Sequence, residues 1–140
     1  MKAVIDTNVL VAGLLSATGP PGWIVEAALS GRIEPVFDMA ILQEYEEVLH
    51  RSELGLAPDR VDDLLAALER FGAQVVGAPP WSAGLPDPDD APFLAVARAA
   101  DSVVVTGNTR HFPPRSRRGV TVLTPRQFVD LLGETSAPTA

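Results

Sequence analysis

The chain has no cysteine, one tyrosine, two histidines and a single lysine, Lys2, in 140 residues. Without cysteine there is neither a disulfide nor a thiolate metal site. His50 and His111 are too few for a His-rich zinc centre. No apolar run approaches the roughly 20 residues of a membrane-spanning helix, so no membrane association is expected. The N-terminus runs straight into a strand-like segment without a charged region ahead of an apolar core. No signal peptide is therefore expected, and the expected setting is the cytoplasm. Basic residues are scarce too: 11 Lys and Arg face 18 Asp and Glu, a net charge of −7. That balance opposes general attraction to nucleic acid. The charge is uneven, however. Arg110, Arg115, Arg117 and Arg118 crowd one segment, and Asp87-Pro88-Asp89-Asp90 crowd another. A basic lip beside an acidic pocket suits a polyanion held over metal ions; charge alone favours an ordinary solvated loop.

What is present is an alternation of strand-like and helix-like segments in a chain of one-domain size. Strands are expected at residues 2–5, 33–37, 74–76, 102–106 and 120–123. Helices are expected at 9–15, 23–29, 40–49, 58–71, 89–100 and 125–132, with Gly19-Pro20-Pro21-Gly22 as a break. Pro35 makes the second strand irregular. Residues 77–88 form a loop, in which Trp81 beside Pro79-Pro80 reads as a cover over the core edge or as a partner surface. The domain is expected to span residues 1–132, with 133–140 as a flexible tail. Strands alternating with helices predict an α/β fold with a parallel sheet covered on both faces.

In such sheets ligands bind beyond the carboxyl ends of the strands, at a switch in strand order. Asp6 closes the first strand, Asn108 follows the run Val103–Thr106, Asp90 opens the helix before that run, and Glu44 lies on the 40–49 helix. Taken alone, Asp6-Thr7-Asn8 reads better as a helix cap. If Thr7 or Asn8 caps, Asp6 is free to face the pocket. One of Asp87, Asp89 and Asp90 is needed as a cap; the surplus carboxylates repel one another unless a cation or solvent intervenes. On the 40–49 helix, 100° steps put the apolar centre near Tyr45. Glu44 and Glu46 flank it, and periodicity does not choose between them. Gly107 reads as licence for an unusual backbone turn, and His111 as a metal ligand, phosphate contact or proton donor. Carboxylates and an amide suit Mg²⁺ or Mn²⁺, and such ions activate water against phosphodiesters.

Five blocks carry a resemblance: Val4-Ile5-Asp6-Thr7-Asn8-Val9-Leu10, Glu44-Tyr45-Glu46-Glu47-Val48-Leu49, Asp87-Pro88-Asp89-Asp90, Phe93-Leu94-Ala95-Val96-Ala97, and Val105-Thr106-Gly107-Asn108-Thr109-Arg110-His111-Phe112. In order and spacing the chain resembles the PIN-domain ribonucleases found as toxins of VapBC-type toxin–antitoxin pairs. The resemblance implies a three-layer α/β/α sandwich with about five parallel strands, an ordinary sheet size. It implies Mg²⁺ or Mn²⁺, an RNA substrate, a small antitoxin partner and a homodimer. It carries the metal-ligand role onto Asp6, Glu44 and Asp90, the last because the family's acid stands seven residues before an alanine, here Ala97. Asn108 completes the catalytic set. Many members have an aspartate at that position, so Asp87 or Asp89 is a candidate for the missing charge. Asn8, Thr106 and His111 are auxiliary candidates, and the four arginines are candidate RNA contacts.

Two rival readings fit parts of the same pattern. An aspartyl phosphatase or phosphoacceptor domain needs a lysine near the phosphoryl group, and Lys2 is at the wrong end of its strand. A PIN-like module without catalysis, binding RNA or a protein, is the alternative that Asn108 keeps open.

Overall fold

Short runs of apolar, largely β-branched residues form the strands, and the amphipathic segments between them form the helices. The computed structural model describes residues 1–82 and 84–136, the last three by backbone only. Five strands, β1 (Lys2–Ile5), β2 (Glu34–Phe37), β3 (Ala73–Gln74), β4 (Val103–Val105) and β5 (Val122–Leu123), make one sheet in the order β3-β2-β1-β4-β5. Every pairing is parallel. The helices are α1 (Thr7–Leu15), α2 (Pro20–Leu29), α3 (Met39–Leu49), α4 (Pro58–Phe71), α5 (Ala91–Ala99) and α6 (Pro125–Ser136).

Strand order dictates the layers. The steps β1 to β2 to β3 move one way across the sheet, and β3 to β4 jumps back over both. Right-handed crossovers therefore place α5 on the face opposite α1, α2 and α4. In agreement, α2 packs against α1, α4 and α6, while α5 packs on β1, β2 and β4. Helix α3 touches both α1 and α5 at the sheet's end. The core includes Ile5, Leu10, Ile24, Leu64, Phe93, Phe112 and Phe128, all buried. Among the described residues no single helix is long and apolar enough to cross a membrane. The apolar pair α1–α2 bends by 98° between its members. Their close approach depends on Gly13, where a Cβ would lie 2.4 Å from the Pro21 carbonyl oxygen.

The structure departs from expectation at prolines and glycines that sequence alone marks as breakers. Pro20 and Pro21 open α2 instead of preceding a gap, because a proline in the first helical turn loses no hydrogen bond. Helix α6 runs past Gly133 to Ser136; one glycine costs a helix about 1 kcal/mol, too little to end it. The rest of the expected tail, 137–140, lies outside the described residues. Pro35 sits within β2 without loss. The Glu34 N–H donates to Met1 on the β1 side, so by alternation the missing N–H of Pro35 would face β3, which begins only opposite Val36.

Candidate metal centre

The carboxyl ends of β1 and β4 lie side by side, in register from Ala3↔Val103 to Ile5↔Val105, and the connections around them cover opposite faces. This is the switch point that opens a crevice in a parallel sheet. Asp6 occupies it. Its backbone N–H donates to the Val105 carbonyl at 2.8 Å, which extends the ladder by one residue and fixes the side chain. Asp6 stands at the N-cap position of α1 yet makes no side-chain cap. Its Oδ2 accepts from the Thr106 hydroxyl at 2.8 Å and from the Asn8 amide at 3.3 Å. The Asn8 carbonyl oxygen in turn accepts from the Gly107 N–H at 3.1 Å.

Glu44 comes from α3, and the Thr7 hydroxyl donates to its Oε2. It is half-buried, whereas Glu46 is exposed and Glu47 pairs with Arg51 at 2.9 Å. The choice that periodicity left open thus falls on Glu44 as the residue facing Asp6. What holds α3 there is Tyr45. Strands β1 and β2 pair only at Lys2↔Glu34 and Ala3↔Pro35, then part. The Ile5 carbonyl is left without a β2 donor, and the buried Tyr45 hydroxyl donates to it. Neither this role of Tyr45 nor that of Thr7 was anticipated. A lone tyrosine on an apolar helix face was the available signal, since its hydroxyl must find a partner when buried. Tyr45→Phe leaves that carbonyl unsatisfied and is expected to cost about 1–3 kcal/mol, read as a lower urea midpoint. An unchanged midpoint would show that the hydroxyl is not its required donor.

Asp90 arrives from below α5. Asp87 caps the preceding 3-10 turn, Pro88–Asp90, by accepting from the Asp89 N–H at 3.0 Å. Asp87 and Asp89 remain exposed, and Asp90 turns inward, only 8% exposed. Its Oδ2 is buried without a hydrogen bond. The nearest base, His111 Nδ1, is 3.5 Å away, an ion-pair distance without hydrogen-bond geometry. The other ring nitrogen, Nε2, lies 3.1 Å from the Asn108 amide nitrogen. With the amide as donor, Nε2 accepts and the ring proton is on Nδ1, facing Asp90. The Asn108 backbone N–H donates to the Thr106 hydroxyl at 3.0 Å. Asn108 is therefore tied to His111 and Thr106, not to the acids. Gly107 does not use a positive φ. It serves by close approach, since a Cβ there would stand 3.3 Å from Asn8 Oδ1.

The electrostatics of the three acids agree in sign. Burial, opposed mainly by the Thr106 hydroxyl, raises the Asp6 carboxyl above the usual range. Burial and then the Asp6 charge raise Glu44, against the Thr7 hydrogen bond. Burial, followed by the charges of Asp6 and Asp87, pushes Asp90 up to about 6, with His111 pulling the other way. Acids that raise one another are the signature of a site short of positive charge.

A hard divalent cation fits this donor set in chemistry: oxygen donors, mutual repulsion and one orphaned buried oxygen. The side chains do not form a finished shell. Among the described residues no three carboxylate or imidazole groups converge closely enough to hold an ion as they stand. Asp6 and Glu44 are each held by a neighbouring hydroxyl, from Thr106 and Thr7, whereas the buried oxygen of Asp90 has no such donor. An open groove of about 390 Å³ between α3 and the start of α5 has Glu44 and Asp89 on its wall, while Asp6 and Asp90 lie outside it.

The arginines separate. Arg110 is exposed in the 3-10 turn Thr109–His111, next to Asn108. Arg117 is spent on the loop, its Nε donating to the Phe112 carbonyl at 2.7 Å. Arg115 and Arg118 face hollows further along.

No curated protein matches the chain. A family model described as PIN domain matches residues 2–110, from β1 through Arg110, and so includes Asp6, Glu44, Asp90 and Asn108 but not Arg115, Arg117 or Arg118. With more than half its length matched and an all-parallel five-stranded sheet of the PIN type, the chain belongs to the PIN-domain family, whose members are in general nucleases that typically use divalent metal ions.

Proposed function

We propose that the chain is a metal-dependent endoribonuclease that hydrolyses RNA phosphodiester bonds at the Asp6–Glu44–Asp90 crevice. The observation that carries this reading is the buried, unpartnered Oδ2 of Asp90 beside two further acids whose protonation is shifted the same way. Asp6, Glu44 and Asp90 would hold one or two Mg²⁺ or Mn²⁺ ions. When bound, such an ion supplies Lewis acidity and lowers the pKa of a coordinated water. The chain does the positioning. Thr106 and Asn8 fix Asp6, Thr7 and Tyr45 fix Glu44, and His111 sets its Nδ1 3.5 Å from Asp90 Oδ2. Of the four arginines after Asn108, Arg110, exposed in the turn two residues beyond it, is the candidate phosphate contact nearest the acids in sequence. The role of toxin, held in check by a small antitoxin and acting as a homodimer, rests on the motif resemblance.

Cleavage of a mixed RNA panel by the wild type with Mg²⁺, Mn²⁺ or a chelator, beside Asp6→Asn, tests the reading. Metal-dependent cutting that the substitution abolishes is the expected result. Cutting in chelator, or cutting retained by Asp6→Asn, overturns the site.

A second reading, a PIN-like module that binds RNA or a protein without catalysis, draws support from Asn108. Its amide is committed to His111, and the acids do not close on a common point. Mn²⁺ titration separates the two, because a degenerate centre binds the ion poorly.

A further inference from the structure

We infer that Arg98, Arg115 and Arg118 form a track for the phosphodiester backbone of single-stranded RNA, leading away from the carboxylates along α5. The inference deepens the nuclease reading and rests on it for the class of ligand.

Three hollows of about 400, 660 and 280 Å³ adjoin on this side of the molecule, and Arg118 borders all of them. Arg98 lies between the first and the third, and Arg115 lines the second. Acids outnumber bases in this chain, yet none of these arginines has a carboxylate within ion-pair distance among the described residues. Asp101 is on the wall of the third hollow, exposed and likewise unpaired among those residues. Nearby Arg117 shows the contrast, because its Nε–H is turned back to the Phe112 carbonyl.

The walls are built. Trp81 Nε1 donates to the Ser116 carbonyl at 2.9 Å, and the Ser116 hydroxyl donates to the Gly84 carbonyl. These two bonds clamp the loop before Asp87 onto the turn that carries Arg115. The Arg98 guanidinium lies 5.8 Å from the centre of the Trp81 ring. Arg118 sits at φ 45°, a left-handed backbone that few side chains adopt.

Position ties the track to the crevice. Pro86, on the wall of the second hollow, directly precedes the Asp87–Asp90 segment. Arg98 is eight residues beyond Asp90, so it stands roughly 12 Å further along the axis of α5. That exceeds the screening length of about 8 Å at physiological salt. Repulsion of phosphates at Arg98 by the acids at the other end is therefore largely screened, and Arg98 acts by contact rather than by a long-range field. Arginine presents a planar fork that matches phosphate, and the Pro79-Pro80-Trp81 wall offers an apolar surface to a base.

The test uses the full chain carrying Asp6→Asn, to prevent cleavage. Binding of a labelled oligouridylate of about fifteen nucleotides, within the usual span of single-strand sites, is followed by anisotropy across a salt series. Arg98→Ala, Arg115→Ala and Arg118→Ala are each expected to lower the slope of log K against log salt by about 0.7. The triple variant is expected to bind at least tenfold more weakly at low salt. A trinucleotide should bind all variants alike, and Arg60→Ala, whose side chain pairs with Glu26 on α2, should change nothing. An unchanged slope in the triple variant, or no RNA binding by the parent, overturns the track. So does a poly-glutamate peptide whose binding alone depends on these arginines, since the surface would then serve an acidic protein. Cleavage is read separately in chains that keep Asp6. If binding falls as expected but the wild type cuts no RNA with any metal, the track stands and the nuclease reading fails. If cutting proceeds and binding is unaltered, the reverse holds.

Discussion

Asp90→Asn is expected to abolish RNA cleavage while making the metal-free protein more stable. The two effects have one cause. Asp90 is buried, its Oδ2 lacks a hydrogen bond, and its ionisation is opposed by desolvation and by Asp6 and Asp87. A folded protein that keeps such a group ionised at neutral pH is carrying a penalty. The amide is nearly the same shape, has no charge and removes that penalty. A cation has the opposite preference, because an amide oxygen is a weak and neutral ligand. Loss of the ligand is expected to lower kcat/KM by three or more orders of magnitude, roughly 4 kcal/mol of transition-state stabilisation. The paired measurement is cleavage with Mn²⁺ and the thermal midpoint in chelator at pH 8. A variant that loses activity and also melts lower would mean that Asp90 is a structural acid satisfied in solution. A variant that keeps cutting would remove it from the site.

The pairing of a strained acid with function explains which parts of the molecule were legible from sequence. Parallel strands buried on both faces read as plain apolar runs, so β1 and β4 were found at once. Their carboxyl ends named Asp6 and Asn108. Helix α3 was found from its period, but not which flank of Tyr45 faced the crevice. That depends on where β1 and β2 part, a tertiary fact that Tyr45 itself enforces through the Ile5 carbonyl. Cap chemistry misled in both directions. Asp, Thr and Asn at residues 6–8 spell a helix start, and α1 does begin at Thr7, yet their side chains reach the segment after β4, α3 or each other instead of capping. Prolines 20 and 21 spell a break, yet they open α2. Gly107 spells a turn, yet it serves as a gap for Asn8. The arginines were the least legible. A run of similar residues carried no sign that Arg117 closes a loop while Arg118 lines a surface shared with Arg98, a residue from a different element.

Divalent cation is expected to reverse the pH dependence of stability. In metal-free protein, Asp90 in the folded state titrates near 6, against 3.8 for the ordinary carboxyl. A raised folded value means that the folded state binds the proton more tightly. Stability therefore rises as pH falls from above 6 towards 3.8, and is lost as pH rises back through 6. Asp6 and Glu44 shift in the same direction and add to the effect. Other carboxylates respond to acid as well, so the informative quantity is the difference in thermal midpoint between wild type and Asp90→Asn. In chelator it should be largest above pH 7, in favour of the variant, and should vanish near pH 4. Mn²⁺ binds the ionised carboxylates. At a hundredfold excess over Kd it stabilises the folded state by about 2.7 kcal/mol. That gain should appear at pH 8, disappear below about pH 5 as the carboxyls protonate, and be largely missing in Asp90→Asn. The same ion that cancels repulsion among three acids is the ion the chemistry needs, so stability and activity should rise together along one Mn²⁺ titration. Equal stabilisation of wild type and variant would place the ion elsewhere, and a pH-independent difference between them would mean that the orphaned oxygen is already solvated.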